Sequence, residues 1–119
     1  MEQIDQMGTL KFIPLTVDQI EKISDRFYIT LGGVNLIFEA AWNEEVMGLF
    51  MSCYDQESNS IIEGRPLILG ENYFEGLTNQ RLPANLRLVP LDLTGAADQI
   101  GITLDNLKSE AVKLYIFEG

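Results

Sequence analysis

Residues 26–55, RFYITLGGVNLIFEAAWNEEVMGLFMSCYD, constrain the fold more than any other stretch of the chain. Phe27, Ile29 and Leu31 alternate with Tyr28 and Thr30, and Gly32-Gly33 then supplies the positive-φ freedom that a tight hairpin turn demands. Beyond the turn, Leu36, Phe38, Ala40 and Trp42 fall on one face of a period-two strand, with Ile37, Glu39 and Ala41 on the other. Asn43-Glu44-Glu45 makes a second polar turn. A third strand over residues 47–54 then sets Leu49, Met51 and Cys53 against Phe50, Ser52 and Tyr54. The rest of the chain reads as partners for these three strands.

Residues 1–8 are polar and are expected to form an extended or mobile lead, with a single β-domain over residues 9–119. Residues 9–15, TLKFIPL, predict a first strand that lies on a sheet edge or ends at Pro14, because proline removes a ladder donor. Val17, Ile20 and Ile23 are spaced three apart, so residues 16–24 form either a short helix capped by Thr16 with Gln19 at its third position or a structured loop. Residues 56–60 are a polar turn, residues 66–69 a short strand or arm, and residues 71–77 one or two helical turns carrying Tyr73, Phe74 and Leu77. Residues 78–83 are a loop. Residues 85–93 alternate well, but Pro90 places that strand at an edge or a bulge. An exposed loop over residues 95–101, a single turn over residues 103–107 and a last strand over residues 110–117 complete the chain. The fold class expected is all-β, an antiparallel β-sandwich or partly open β-barrel of six or seven short strands with one or two short helical turns.

The composition removes several function classes. There is no histidine, so imidazole-dependent triads are absent and the commonest zinc ligand is missing. Cys53 is the one cysteine, which rules out an intrachain disulfide; at an alternating strand position it reads as a small buried hydrophobe. A net charge of -10 repels phosphate backbones, so no direct nucleic-acid binding is expected. No apolar run approaches the ~20 residues that span a bilayer, so no membrane association is expected, and the N-terminus does not resemble a secretory signal.

The remaining candidates for chemistry each have a plainer reading. Glu44 and Glu45 with Asp55 and Glu57 could be imagined as metal ligands or an acid/base pair, but they sit at hairpin tips, where carboxylates are usually solvated turn residues. Asp55 and Asp92 are the carboxylates a small hydrolase would use. Gly32-Gly33 and Gly64-Arg65-Pro66 lack a nucleotide-loop context. Arg65, Arg81 and Arg87 could form an anion site, or pair with local carboxylates. Trp42 with nearby tyrosines could serve as a stacking platform in a small ligand- or carbohydrate-binding β-domain. Tyr28, Tyr54 and Tyr115 lie opposite the main apolar sets, where either a two-sided core or an assembly surface accommodates them. No catalytic, cofactor-binding or metal-ligating residue is assigned.

Taken in order, KFIPLT, FYITLGG, a strand ending in WN, LFMSCYD, EGRPLILGEN, LRLVPLDLTG, and LDNL followed by VKLYIF resemble the small phage proteins of the cyanophage baseplate plug family. The family's elements fall at residues 13–15, at Trp42-Asn43, and at residues 66–72, 91–95 and 105–115. Two stretches depart from the family pattern: QIEKISD before the hairpin, and LDNLKSE in place of a glycine-containing turn.

The resemblance implies a structural virion protein of a contractile-tailed bacteriophage, made in the host cytoplasm and placed at the central tail baseplate. There it would help to plug the tail tube or join it to the hub and spike. It implies tail tube, hub and spike proteins as partners and a homo-oligomer, a trimer or ring about the tail axis. It implies no enzyme activity and no cofactor.

Overall fold

The longest strand sits where the apolar alternation is longest. In the computed structural model, which describes residues 11–13, 15–77, 82–83 and 85–117, β3 runs Val34–Asn43. Before it come β1 (Lys11–Ile13), α1 (Val17–Lys22) and β2 (Asp25–Leu31). After it come β4 (Gly48–Asp55), β5 (Ser60–Pro66), β6 (Arg87–Asp92), α2 (Leu104–Lys108) and β7 (Val112–Phe117). Two antiparallel sheets result, one ordered β2-β3-β4-β5 and the other β1-β7-β6, and they do not close into a barrel. The fold is therefore the sandwich of the two expected alternatives.

Leu31 pairs with Val34 across Gly32-Gly33, whose φ values of 56° and 82° no β-branched residue would adopt at low cost. Gly32 is constrained a second way, since a Cβ there would stand 2.8 Å from the Pro83 side chain. The inner face of the larger sheet buries Leu36, Phe38, Ala40, Leu49, Met51 and Cys53. Opposite it, β7 contributes Val112, Leu114 and Ile116, and one core cluster joins both sheets. Ile20 of α1 and Leu107 of α2 enter that cluster too.

Several expectations are corrected in detail. Of the short strand or arm expected over residues 66–69 only Pro66 is in a strand: the strand lies earlier, Ser60–Pro66, and it absorbs the Gly64 break as a bulge (φ 57°), with register shifts against β4. Residues 71–77 form irregular turns rather than helical ones, because Asn72 Oδ1 accepts the N–H groups of both Phe74 and Leu88 and ties the segment to β6. Thr16 does precede α1, but its side chain makes no cap; its N–H donates instead to Asp25 Oδ2 at 2.8 Å. The turn expected at residues 103–107 is α2, closed by a capping box between Thr103 and Asn106. Pro90 stands in an edge strand, as the missing donor requires. The lead at residues 1–8, and Thr9, Leu10, Pro14 and residues 78–81 of the expected strand and loop, lie outside the described residues.

Candidate functional site: an apolar end and an outer sheet face

The carboxylates do not converge. Glu44 and Glu45 lie in the β3–β4 turn, whereas Asp55 is the last residue of β4 and Glu57 follows it in the β4–β5 turn, so the two pairs stand at opposite ends of β4. At the strand rise per residue that separation is roughly 23 Å. Asp55 Oδ1 accepts the N–H groups of Glu57 (3.0 Å) and Asn59 (2.8 Å), which is the geometry of a turn-maker. Among the described residues no group of three or more acidic or thiol side chains could hold a metal ion.

Among the described residues Asp92 is the one buried charged residue, at 8% exposure. It accepts the Thr94 hydroxyl at 2.6 Å, the Thr94 N–H at 2.9 Å and the Ala97 N–H at 3.0 Å. The Thr94 hydroxyl, then the backbone donors, hold its carboxyl below the ordinary carboxylate range against an opposing effect of burial. A hydrolytic acid needs the reverse shift, so the geometry fits loop anchoring. The folded state binds this proton less readily than the unfolded chain. Its stabilising contribution is therefore full above about pH 4, the ordinary value, and is lost as pH falls through the depressed folded value. We expect Asp92→Asn to melt below the wild type at neutral pH and the two melting temperatures to converge in acid. Parallel pH profiles would contradict this account.

Arg65 donates to the Tyr73 and Glu75 carbonyl oxygens at 2.9 and 3.0 Å and fastens the 71–77 segment beside β5. Tyr73 in turn donates its hydroxyl to the Met51 carbonyl oxygen, and burial pushes that hydroxyl's pKa up. Arg87 lies 5.1 Å from the Phe117 ring centroid, and Arg81 is outside the described residues. Trp42 is 8% exposed within the core, with no hydrogen-bond partner at its indole nitrogen, and offers no open stacking face. Cys53 is fully buried, as its strand position implies.

The tyrosines separate. Tyr115 is buried at 7% exposure, edge-on to Phe12, whose ring Lys113 covers at 4.4 Å. Tyr54 is half-buried beneath the Arg26 guanidinium at 5.6 Å. Tyr28 stands 72% exposed on the outer face of the larger sheet. Register places it directly beside Ile37, which Tyr54 flanks on the other side.

A second surface was not visible in the sequence. Among the described residues eight large hydrophobic side chains are exposed, and six of them share one end of the sandwich: Ile23, Val46, Met47, Ile68, Leu93 and Ile100. Val46 and Met47 tip the β3–β4 hairpin, where Asn43 Oδ1 accepts the N–H groups of Glu45 and Val46. Ile23 enters β2 beside the last residues of β3. Ile68 is held there because Leu67 N–H donates to Leu49 and Gly70 N–H to Pro90, each at 2.8 Å. Leu93 and Ile100 leave β6 through the loop that Asp92 anchors. Glu44, Glu45, Glu71 and Asp98 are exposed on the same turns and loops and give this end an acidic fringe. Exposed apolar side chains gathered on the connections of one end, with acidic residues among them, suit a contact surface.

The chain belongs to the family described as "Cyanophage baseplate Pam3 plug gp18", whose match spans residues 10–119. No curated protein matches it.

Proposed function

We propose that this member of the cyanophage baseplate plug family is a structural protein of the phage tail that helps to plug the tail tube, or to join it to the hub and spike, at the centre of the baseplate. The observation that carries the reading is the coincidence of the family match over nearly the whole chain with the apolar end of the sandwich. An all-β domain whose candidate carboxylates are spent on turns suits a scaffold, and six outward apolar side chains at one end suit a protein held by its neighbours. The tail tube, hub and spike proteins are the partners, and copies of the chain form a trimer or ring about the tail axis, where heterologous contacts close on themselves. The acidic fringe asks for a partner surface with an apolar centre and a basic rim. The protein is made in the host cytoplasm and carries no catalytic step.

Cross-linking mass spectrometry on intact particles tests this. Lys22 ends α1 and Lys108 ends α2, where it meets Glu21 at 3.3 Å, so both report on the apolar end. Lys11 lies in β1, and Lys113 in β7 reports on the outer face of the smaller sheet. Links from Lys22 and Lys108 to tube, hub or spike proteins are the expected result. Absence of the chain from particles would overturn the reading.

A further inference from the structure

Among the described residues the two open sheets leave four edge strands, and three of them carry features that discourage further pairing. Among the described residues β1 spans only Lys11–Ile13. β6 contains Pro90, and its open side is already bonded by Gly70 N–H to Pro90 O (2.8 Å), Tyr73 N–H to Leu88 O (2.7 Å) and Leu88 N–H to Asn72 Oδ1 (3.1 Å). β5 is bulged, ends in Pro66 and has the 71–77 segment fastened beside it by Arg65.

β2 has none of these features. It is seven residues long, contains no proline, and holds an unbroken register with β3 from Asp25 opposite Ala40 to Leu31 opposite Val34. A two-residue hairpin closes on a hydrogen-bonded pair, so Leu31, Ile29, Phe27 and Asp25 bond to β3. Arg26, Tyr28 and Thr30 consequently aim their N–H and C=O groups away from the sheet. Among the described residues no backbone hydrogen bond reaches those groups, and Tyr28 at the midpoint is 72% exposed.

We propose that this edge takes the β2 strand of a second copy of the chain, antiparallel, about a two-fold axis at Tyr28. That register brings together the three outward-facing residues of each strand and forms about six backbone hydrogen bonds. It sets Tyr28 against the partner's Tyr28, Arg26 against the partner's Thr30, and Phe27 against the partner's Ile29. Aromatic and apolar pairs of this kind are favourable across strands, and no like charges stand opposite each other. The strand is complementary to itself, which argues for a second copy over a foreign strand. The contact goes beyond the baseplate reading and does not depend on it: it is a dimer of the free protein that covers the edge outside the particle. Because each copy carries a net charge of -10, added salt should tighten it by screening.

The test is sedimentation equilibrium of the full chain from micromolar to millimolar concentration, at low and at high salt, with amide hydrogen exchange at each end of the range. A dimer favoured by salt is expected, with Arg26, Tyr28 and Thr30 amides protected only when it forms. Tyr28→Lys, at an exposed position that leaves folding intact, places two ammonium groups at the axis and should raise the dissociation constant at least about tenfold. Thr30→Pro removes an outward N–H that β3 does not use and should have the same direction of effect. A monomer at all concentrations overturns the proposal, as does a dimer unchanged by Tyr28→Lys. Protection of these amides solely within particles would assign the edge to a strand from another baseplate protein, and would leave the cross-linking result standing.

Discussion

Phe38→Ala is expected to remove about 3–5 kcal/mol of stability, a large part of the roughly 5–15 kcal/mol that holds a domain of this size together. Phe38 is fully buried in the interior of β3 and pairs with Phe27 on one side and Cys53 on the other. Its ring stacks on Phe27 at 5.6 Å and 20°, and meets the tilted ring of Phe74 at 6.4 Å. One truncation therefore opens a cavity between the hairpin partner and the 71–77 segment. Phe74 is itself edge-on to Tyr73 at 5.2 Å, so its collapse into the void would disturb that contact and the Tyr73 bond to Met51. The void is poorly placed to close, which puts the cost at the upper end for an aromatic deletion. Chemical denaturation of the wild type, Phe38→Leu and Phe38→Ala checks this, with the leucine variant falling between. A loss below about 1 kcal/mol for the alanine variant would mean that the core does not pass through Phe38.

What the sequence made legible is what a period of two and a glycine pair determine locally. Phe27 to Trp42 specified two strands, their faces and the turn between them, and the structure keeps all three. Pro90 and the alternation around it specified an edge strand. The errors arose where a long-range partner overrides a local pattern. Tyr73, Phe74 and Leu77 have helical spacing, yet Asn72 is engaged by Leu88 sixteen residues away, and the segment becomes a set of turns instead. Gly64 and Pro66 read as the end of one element and the start of another, but β4 supplies enough partners to carry a strand across the glycine as a bulge. The apolar end was illegible for the same reason. Ile23, Val46, Ile68, Leu93 and Ile100 lie in four separate connections between elements, and only the fold brings those connections to one side. Of the two stretches that depart from the family pattern, the first overlaps the second half of α1 and the second contains α2, and the two helices meet through Lys108 and Glu21 at that same end.

Replacing Val46 and Met47 together by aspartate should leave the isolated protein folded and remove it from particles. The two side chains are 62% and 68% exposed in the free chain, so folding gains little from them, and surface changes of this kind stay within about 0.5 kcal/mol. Met47 already occupies a left-handed conformation, φ 52°, which aspartate tolerates better than most residues. In an assembled baseplate the same side chains would be buried, each contributing about 1.5–3 kcal/mol of transfer free energy. Losing both amounts to a fall in affinity of at least about a hundredfold. Two carboxylates forced against an apolar partner would add a desolvation cost, and beside Glu44 and Glu45 they would deepen the acidic fringe further. Quantitative mass spectrometry of purified particles, paired with melting curves of the isolated variant, separates assembly from folding. The expected outcome is a melting temperature near that of the wild type together with near-complete loss of incorporation. Incorporation at wild-type copy number would remove the β3–β4 hairpin tip from the docking surface and return attention to the outer face around Tyr28 and Ile37.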